Sequence, residues 1–129
     1  MEMEIGFPGG QKVETRFKGE TIVVGSDIEN ESALEPLDLF FVSLGLCVGK
    51  YVLEFCRPRN IPHERARVVL RTEWCKSKKM HTKVIIDITL PREFPAKYRN
   101  AVMRTVDLCS VKKHIINPPT FEVDARIGS

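Results

Sequence analysis

Amide side chains are scarce in this chain of 129 residues: one Gln and four Asn stand against 29% charged residues, a composition that leans toward a heat-adapted source. The four cysteines include no Cys-x-x-Cys or Cys-x-x-His pair, so their spacing offers structural zinc little support. There is no glycine-rich phosphate loop, and hence no sign of a bound nucleotide. Charge of neither sign is gathered into an arm, since 20 Lys and Arg are spread among 17 Asp and Glu for a net +3; a nucleic-acid partner is not indicated. The one dense cationic stretch, Lys76, Lys78, Lys79 and His81 with Lys83, lies between two strand-like runs and reads as a solvated hairpin loop. The N-terminus MEMEIGFPGG has Glu2 and Glu4 where a secretory signal carries positive charge, and no apolar run follows it. A cytoplasmic protein is expected, in which four cysteines do not form a static disulfide framework.

The length fits one domain over residues 1–129. Val13, Thr15 and Phe17 alternate with Glu14, Arg16 and Lys18 before a Lys18-Gly19-Glu20 turn, which predicts a hairpin over residues 11–25. A polar loop follows to Glu35, with Ser32 as a candidate helix cap. From Pro36 a helix is predicted to run to Cys56, stopped by Arg57-Pro58. Val68, Leu70, Thr72 and Trp74 alternate with charged residues over 67–74, and Val84, Ile86, Ile88 and Leu90 do so over 82–90, so these runs form a second hairpin. Pro91 and Pro95 introduce a second helix, with Tyr98, Ala101, Val102, Val106 and Leu108 as its apolar stripe up to Cys109. Phe121, Val123, Ala125 and Ile127 then alternate as a last strand. The fold class is α+β, with antiparallel sheets in the order β-β-α-β-β-α-β.

The helix from Leu37 to Cys56 is apolar in almost every direction. It has the length of a membrane span, but Asp38, Lys50 and Glu54 interrupt it and no other segment resembles a span; it reads as the central helix of a soluble core, with no membrane partner. Five or six short strands and one further helix do not cover such a cylinder. An obligate homodimer packed around it is therefore expected.

Cys47 sits inside this helix between Gly45 and Gly49. Each glycine costs a helix about 1 kcal/mol relative to Ala, so the pair implies either room for close approach or a tight helix crossing. Taken alone, a cysteine in an apolar helix is more often a small buried hydrophobe than a nucleophile. Cys109, beside Ser110, Lys112, Lys113 and His114, has positive charge that would favour a thiolate. Cys56 reads as helix-end packing and Cys75 as a strand-end residue. His63, His81 and His114 fall on different elements and read as surface residues, leaving metal binding a thin third class.

The segment PLDLFFVSLGLCVGKYVLEF, followed some sixty residues later by VDLCSVKKHIINPPTFEV, resembles the OsmC/Ohr family (osmotically inducible protein C and organic hydroperoxide resistance protein). There a proline-led acidic segment opens a long helix bearing one cysteine, and a second cysteine precedes the final strand. The resemblance implies an intertwined homodimer acting as a thiol-dependent peroxidase on organic hydroperoxides, with no cofactor beyond an external dithiol reductant. It further implies Cys47 as the peroxidatic thiolate and Cys109 as the resolving thiol that forms a disulfide with it. An N-terminal arginine, here Arg16, would activate the thiol, held by an acidic residue, here Asp38.

Two features depart from that pattern. TRFKGE around Arg16 does not match the family's arginine motif. Asp38 replaces a glutamate and lies nine residues before Cys47, a net half turn on a continuous helix, so it would face away; Glu35 is the fallback. Those departures motivate a rival expectation, a weakly active protein that holds an apolar small molecule in a cavity beside Cys47.

Overall fold

The computed structural model describes residues 1–25 and 33–128 and divides into two compact units, Met1–Val42 and Ser43–Ser129. In the first, β1 (Ile5–Gly9), β2 (Lys12–Phe17) and β3 (Glu20–Val24) form an antiparallel sheet in chain order. The predicted hairpin is β2–β3, in register from Val13↔Val24 to Phe17↔Glu20. Its two loop residues, Lys18 (φ 51°) and Gly19 (φ 82°), both have positive φ, which matches the right-handed twist of the strands they join. Strand β1 was not anticipated. Pro8 and the glycines around it mask its pattern, and a proline is tolerated there because β1 is an edge strand. Gly25 (φ 82°) closes the sheet; a Cβ there would collide with the Gln11 carbonyl. Ser32 lies outside the described residues.

Helix α1 spans Pro36–Cys56, the interval predicted from sequence. Pro36 occupies the first turn, where its missing N–H costs nothing. The Asp38 carboxylate accepts the Glu35 N–H at 2.9 Å, the backward arm of a capping box, beside the positive end of the helix dipole. At the other end a single 3₁₀ turn, Arg57–Arg59, leads into Asn60 with φ 52°. The Ile61 N–H reaches back to the Cys56 carbonyl (3.1 Å), satisfying the terminal turn.

In the second unit α1 buries one stripe, Leu44, Val48, Val52, Phe55 and Cys56. Val48 through Cys56 join Ile61, Phe94, Val102 and Val106 in the core, flanked by Val68, Ile86, Ile88 and Leu90. The expected all-round covering is not reached within one chain, since Leu46 is 69% exposed. Strands β4 (Arg67–Cys75) and β5 (Met80–Thr89) pair antiparallel, with Val68 opposite Ile88 and Leu70 opposite Ile86. The lysine-rich segment is the turn between them. A register shift between Glu73 and Trp74 breaks the alternation, so Trp74 points outward, against the sequence reading.

The predicted second helix stops at Val106, short of Cys109, and a further helix that was not predicted follows it. After a 3₁₀ turn at Ala96–Tyr98, α2 covers Arg99–Val106 and buries Val102 and Val106; α3 covers Ser110–Ile116. Leu108 lies between them and faces solvent rather than completing the stripe. The predicted last strand is not formed among the described residues: Phe121 and Val123 are 82% and 95% exposed, and residues 118–128 pair with none of the described strands. Alternation marks a segment able to be a strand, but a neighbouring edge must supply the hydrogen bonds.

Phe55 is the centre of the second unit's core. Its ring meets Phe94 and Tyr98 at centroid distances of 6.1 and 5.8 Å, and the Arg59 guanidinium lies 3.9 Å over it while donating to the Phe55 carbonyl. Phe55→Ala is expected to destabilise the fold by about 3–5 kcal/mol, measured as a shift of the urea unfolding midpoint at constant slope.

Candidate functional site

The turn that separates α2 from α3 brings Cys109 to the middle of α1. Cys109 is the N-cap of α3: its backbone leaves helical geometry (φ −46°, ψ 119°) and its sulfur accepts the Lys112 N–H at 3.5 Å. The residue is 2% exposed. Across the gap Cys47, half-buried on α1, hydrogen-bonds to the Cys109 thiol and lies 3.9 Å from the Ser110 hydroxyl. Both cysteines are reduced.

This arrangement makes the two sulfurs unequal. Burial pushes the Cys47 thiol up, but hydrogen bonds from the Cys109 thiol, from the Val111 and Ser110 N–H groups and from the Ser110 hydroxyl outweigh it, and Cys47 ionises below an ordinary thiol. For Cys109 the order is reversed. Burial raises it, and donating to Cys47 raises it further, as does the negative charge of the Cys47 thiolate. Of the two, Cys47 therefore ionises first, with the Cys109 thiol donating to it. Contrary to the expectation from sequence, the positive residues after Cys109 do not lower its thiol: burial and the bond to Cys47 prevail, and the Lys112 ammonium pairs with Asp107 at 3.5 Å.

Arg16 and Asp38 belong to the N-terminal unit. Arg16 is an exposed residue of β2 opposite Thr21, and Asp38 is engaged with the Glu35 N–H at the start of α1. Glu35 itself is the residue that Asp38 caps. The donors that face Cys47 were missed in the sequence, because α3 was missed. Its signal was available: Ser110-Val111-Lys112-Lys113-His114-Ile115-Ile116 ahead of Asn117-Pro118 is a short helix with a proline stop. Cysteine is not a usual cap, however, and concealed the start.

The other cysteines sit where expected. Cys56 is fully buried at the end of α1, and burial raises its thiol despite the Arg59 charge. Cys75 ends β4, where the Ser77 hydroxyl at 3.3 Å and then the Lys78 N–H lower it. His63 is beside the Ile61 carbonyl, His81 is against Trp74, and His114 contacts the Ser110 carbonyl at 2.6 Å. Among the described residues no three metal-ligating side chains converge.

A cavity of about 130 Å³ is lined by Gly49, Val52, Leu53, His63, Ala66 and Val68. It borders Gly49 rather than Cys47, and it is smaller than the roughly 300 Å³ at which small-molecule pockets begin. A Cβ at Gly49 would meet nothing within 4 Å. Within the single chain, this glycine therefore marks room rather than a tight crossing.

Comparison with known proteins places these elements in a wider group. The family described as OsmC-like protein matches residues 29–124. No curated protein matches the chain. Among solved structures, an osmotic stress induced and detoxification response protein from Psychrobacter arcticus 273-4 is similar at TM-score 0.69 and 19% identity, covering 86% of this chain and 85% of that one. A hypothetical protein from Aquifex aeolicus VF5 gives TM-score 0.69 at 20% identity, with 91% and 87% covered. An OsmC-like hydroperoxide resistance protein from Jannaschia sp. CCS1 gives 0.58 at 21%, with 98% and 91% covered. At these identities the likeness is one of fold.

The unequal thiols are checked by alkylating the native protein with iodoacetamide over a pH series and quantifying each site by peptide mass. Only the thiolate reacts. Modification of Cys47 is expected to persist to lower pH than that of an ordinary thiol and to fall as it protonates, while Cys109 should begin to react only at higher pH.

Proposed function

This chain belongs to the OsmC-like family, and from that premise we propose that it is a thiol-dependent peroxidase reducing organic hydroperoxides in oxidative stress defence. The observation that carries the reading is the hydrogen-bonded pair of Cys47 and Cys109, ionised in favour of Cys47. A hydroperoxide resistance protein among the structures of similar fold lends support.

The Cys47 thiolate attacks the terminal oxygen of ROOH. An S–O bond forms as the O–O bond breaks, leaving Cys47 as a sulfenic acid, and the alkoxide takes a proton and departs as ROH. Once Cys47 carries no charge, it no longer holds the Cys109 proton in place, and Cys109 ionises more readily. Its sulfur attacks the sulfenic sulfur and displaces hydroxide, which takes the Cys109 proton to leave as water; a Cys47–Cys109 disulfide remains. An external dithiol then reduces that bond by two exchange steps, becoming a disulfide itself. The arrangement times the cycle, because the resolving thiol is held protonated until the first sulfur has been oxidised.

Arg16 and Asp38 enter the proposal as the arginine and its acidic partner that the family resemblance implies. The capping contact of Asp38 gives that carboxylate a sufficient structural role, so Arg16 is the more informative of the two to replace. A cytoplasmic setting, where dithiol reductants are maintained, and a homodimer complete the reading. The exposed Leu46 on α1 and the unpaired alternation from Phe121 to Ile127 are apolar surfaces that a second copy would cover.

Turnover of an organic hydroperoxide with a dithiol donor is the direct test. Cys47→Ser should reduce it to background, and undiminished turnover in that variant would remove Cys47 as nucleophile. Cys109→Ser should complete the first step and stop, accumulating a sulfenic acid that dimedone traps, with no disulfide in the mass spectrum. Light scattering coupled to size exclusion should give twice the 14.7 kDa chain mass.

A further inference from the structure

A serine at the first position of a helix ordinarily has little to do, because the cap one residue earlier satisfies the free N–H groups. In α3 that task falls to Cys109, whose sulfur accepts the Lys112 N–H. The hydroxyl of Ser110 is thereby left for another partner. It lies 3.9 Å from Cys47 Sγ, on the fourth residue after α2 but against the middle of α1. The Ser110 peptide is held from the next turn, where His114 Nδ1–H donates to its carbonyl at 2.6 Å. The helix start and the His114 contact together fix the position from which the hydroxyl reaches the sulfur.

We propose that Ser110 is a catalytic residue of the thiol site, its hydroxyl donating a hydrogen bond to the reacting sulfur of Cys47. The assignment rests on the peroxidase reading for the reaction it serves, but its geometry does not depend on that reading. A thiolate has lone pairs and no proton, so a hydroxyl facing it can only donate. Sulfur is large and its lone pairs are diffuse, which lengthens such bonds, and contacts to a nucleophile tighten as charge concentrates on it. The hydroxyl complements the Cys109 thiol. Cys109 must give up its proton and leave its donor role when it closes the disulfide, whereas Ser110 keeps its proton and remains beside Cys47 through the sulfenic stage. This chain therefore has a donor that the chemistry does not consume, and neither composition nor spacing marked it.

The test is the pH profile of Cys47 alkylation in Ser110 variants, read by peptide mass with Cys75 as an internal control. A hydrogen bond to a charged group, weakened by its length, corresponds to about 3- to 10-fold in the thiolate population, or about half to one pH unit. Ser110→Ala should move the Cys47 profile upward by that amount and slow alkylation about 3- to 10-fold on its acid side, leaving the Cys75 profile in place. Thr and Val have the same shape and differ in the hydroxyl, so Ser110→Thr should retain the native profile and Ser110→Val should shift like alanine; this pair carries the test should the alanine variant fold poorly. Ser110→Pro also removes the N–H donor while suiting a first helical position, and the Cys109 ψ of 119° lies outside the α region that a following proline disfavours; it should shift furthest. An unmoved Cys47 profile in Ser110→Ala and Ser110→Val, or equal shifts in Ser110→Thr and Ser110→Val, would overturn the assignment. The alkylation measurement uses no hydroperoxide, so a shift in a wild-type background that lacks turnover would uphold Ser110 while removing the peroxidase.

Discussion

The sulfur of Cys109 has two obligations, and the site depends on both being met at once. It accepts the Lys112 N–H to begin α3 and donates its proton to Cys47 on α1. A thiol suits this position as few groups would, being small enough to be 2% exposed between helices and able to accept and donate together. The turn that starts α3 also aligns the Ser110 and Val111 N–H groups toward Cys47. A conventional cap such as Asp or Ser would start the helix equally well but would supply no second sulfur.

The remainder of the C-terminal unit sets the distance between those sulfurs. Helix α1 is anchored through Val48, Val52, Phe55 and Cys56, and α2 is anchored against it through Val102 and Val106. Burial of each such side chain is worth about 1.5–3 kcal/mol. Cys47 directly precedes Val48, and Cys109 follows Val106 by three residues, so each thiol stands one short step from a buried anchor. Neither is carried on a long loop. The glycines flanking Cys47 leave this stretch of α1 uncrowded, which suits a sulfur that must change partners.

Much of the framework could be read directly. The limits of α1 followed from Pro36 and Arg57-Pro58, and both hairpins followed from alternation and a two-residue or lysine-rich turn. What escaped was local competition. Strand β1 was hidden by Pro8 and its neighbouring glycines, and the side to which Trp74 turns depended on a register shift that has no sequence mark. Helix α3 was hidden by an unusual cap. The segment from Phe121 to Ile127 has an unmistakable strand pattern and yet no pairing among the described residues, because a strand is completed by its neighbour rather than by itself.

For the site the division is sharper. That Cys47 and Cys109 are the paired residues could be taken from their order and surroundings in the chain, through the resemblance they support. The same resemblance implied Cys47 as the thiolate, although the positive residues after Cys109 pointed the other way. Ionisation depends on where donors point and how far the group is buried, and the lysine that looked closest in sequence turns to Asp107 in space. Sequence by itself determined the α+β framework, the long helix and the two cysteines worth pairing. Only the tertiary structure shows why Cys47 ionises more easily than Cys109, because hydrogen bonds act over a few ångströms in directions that the order of residues does not specify.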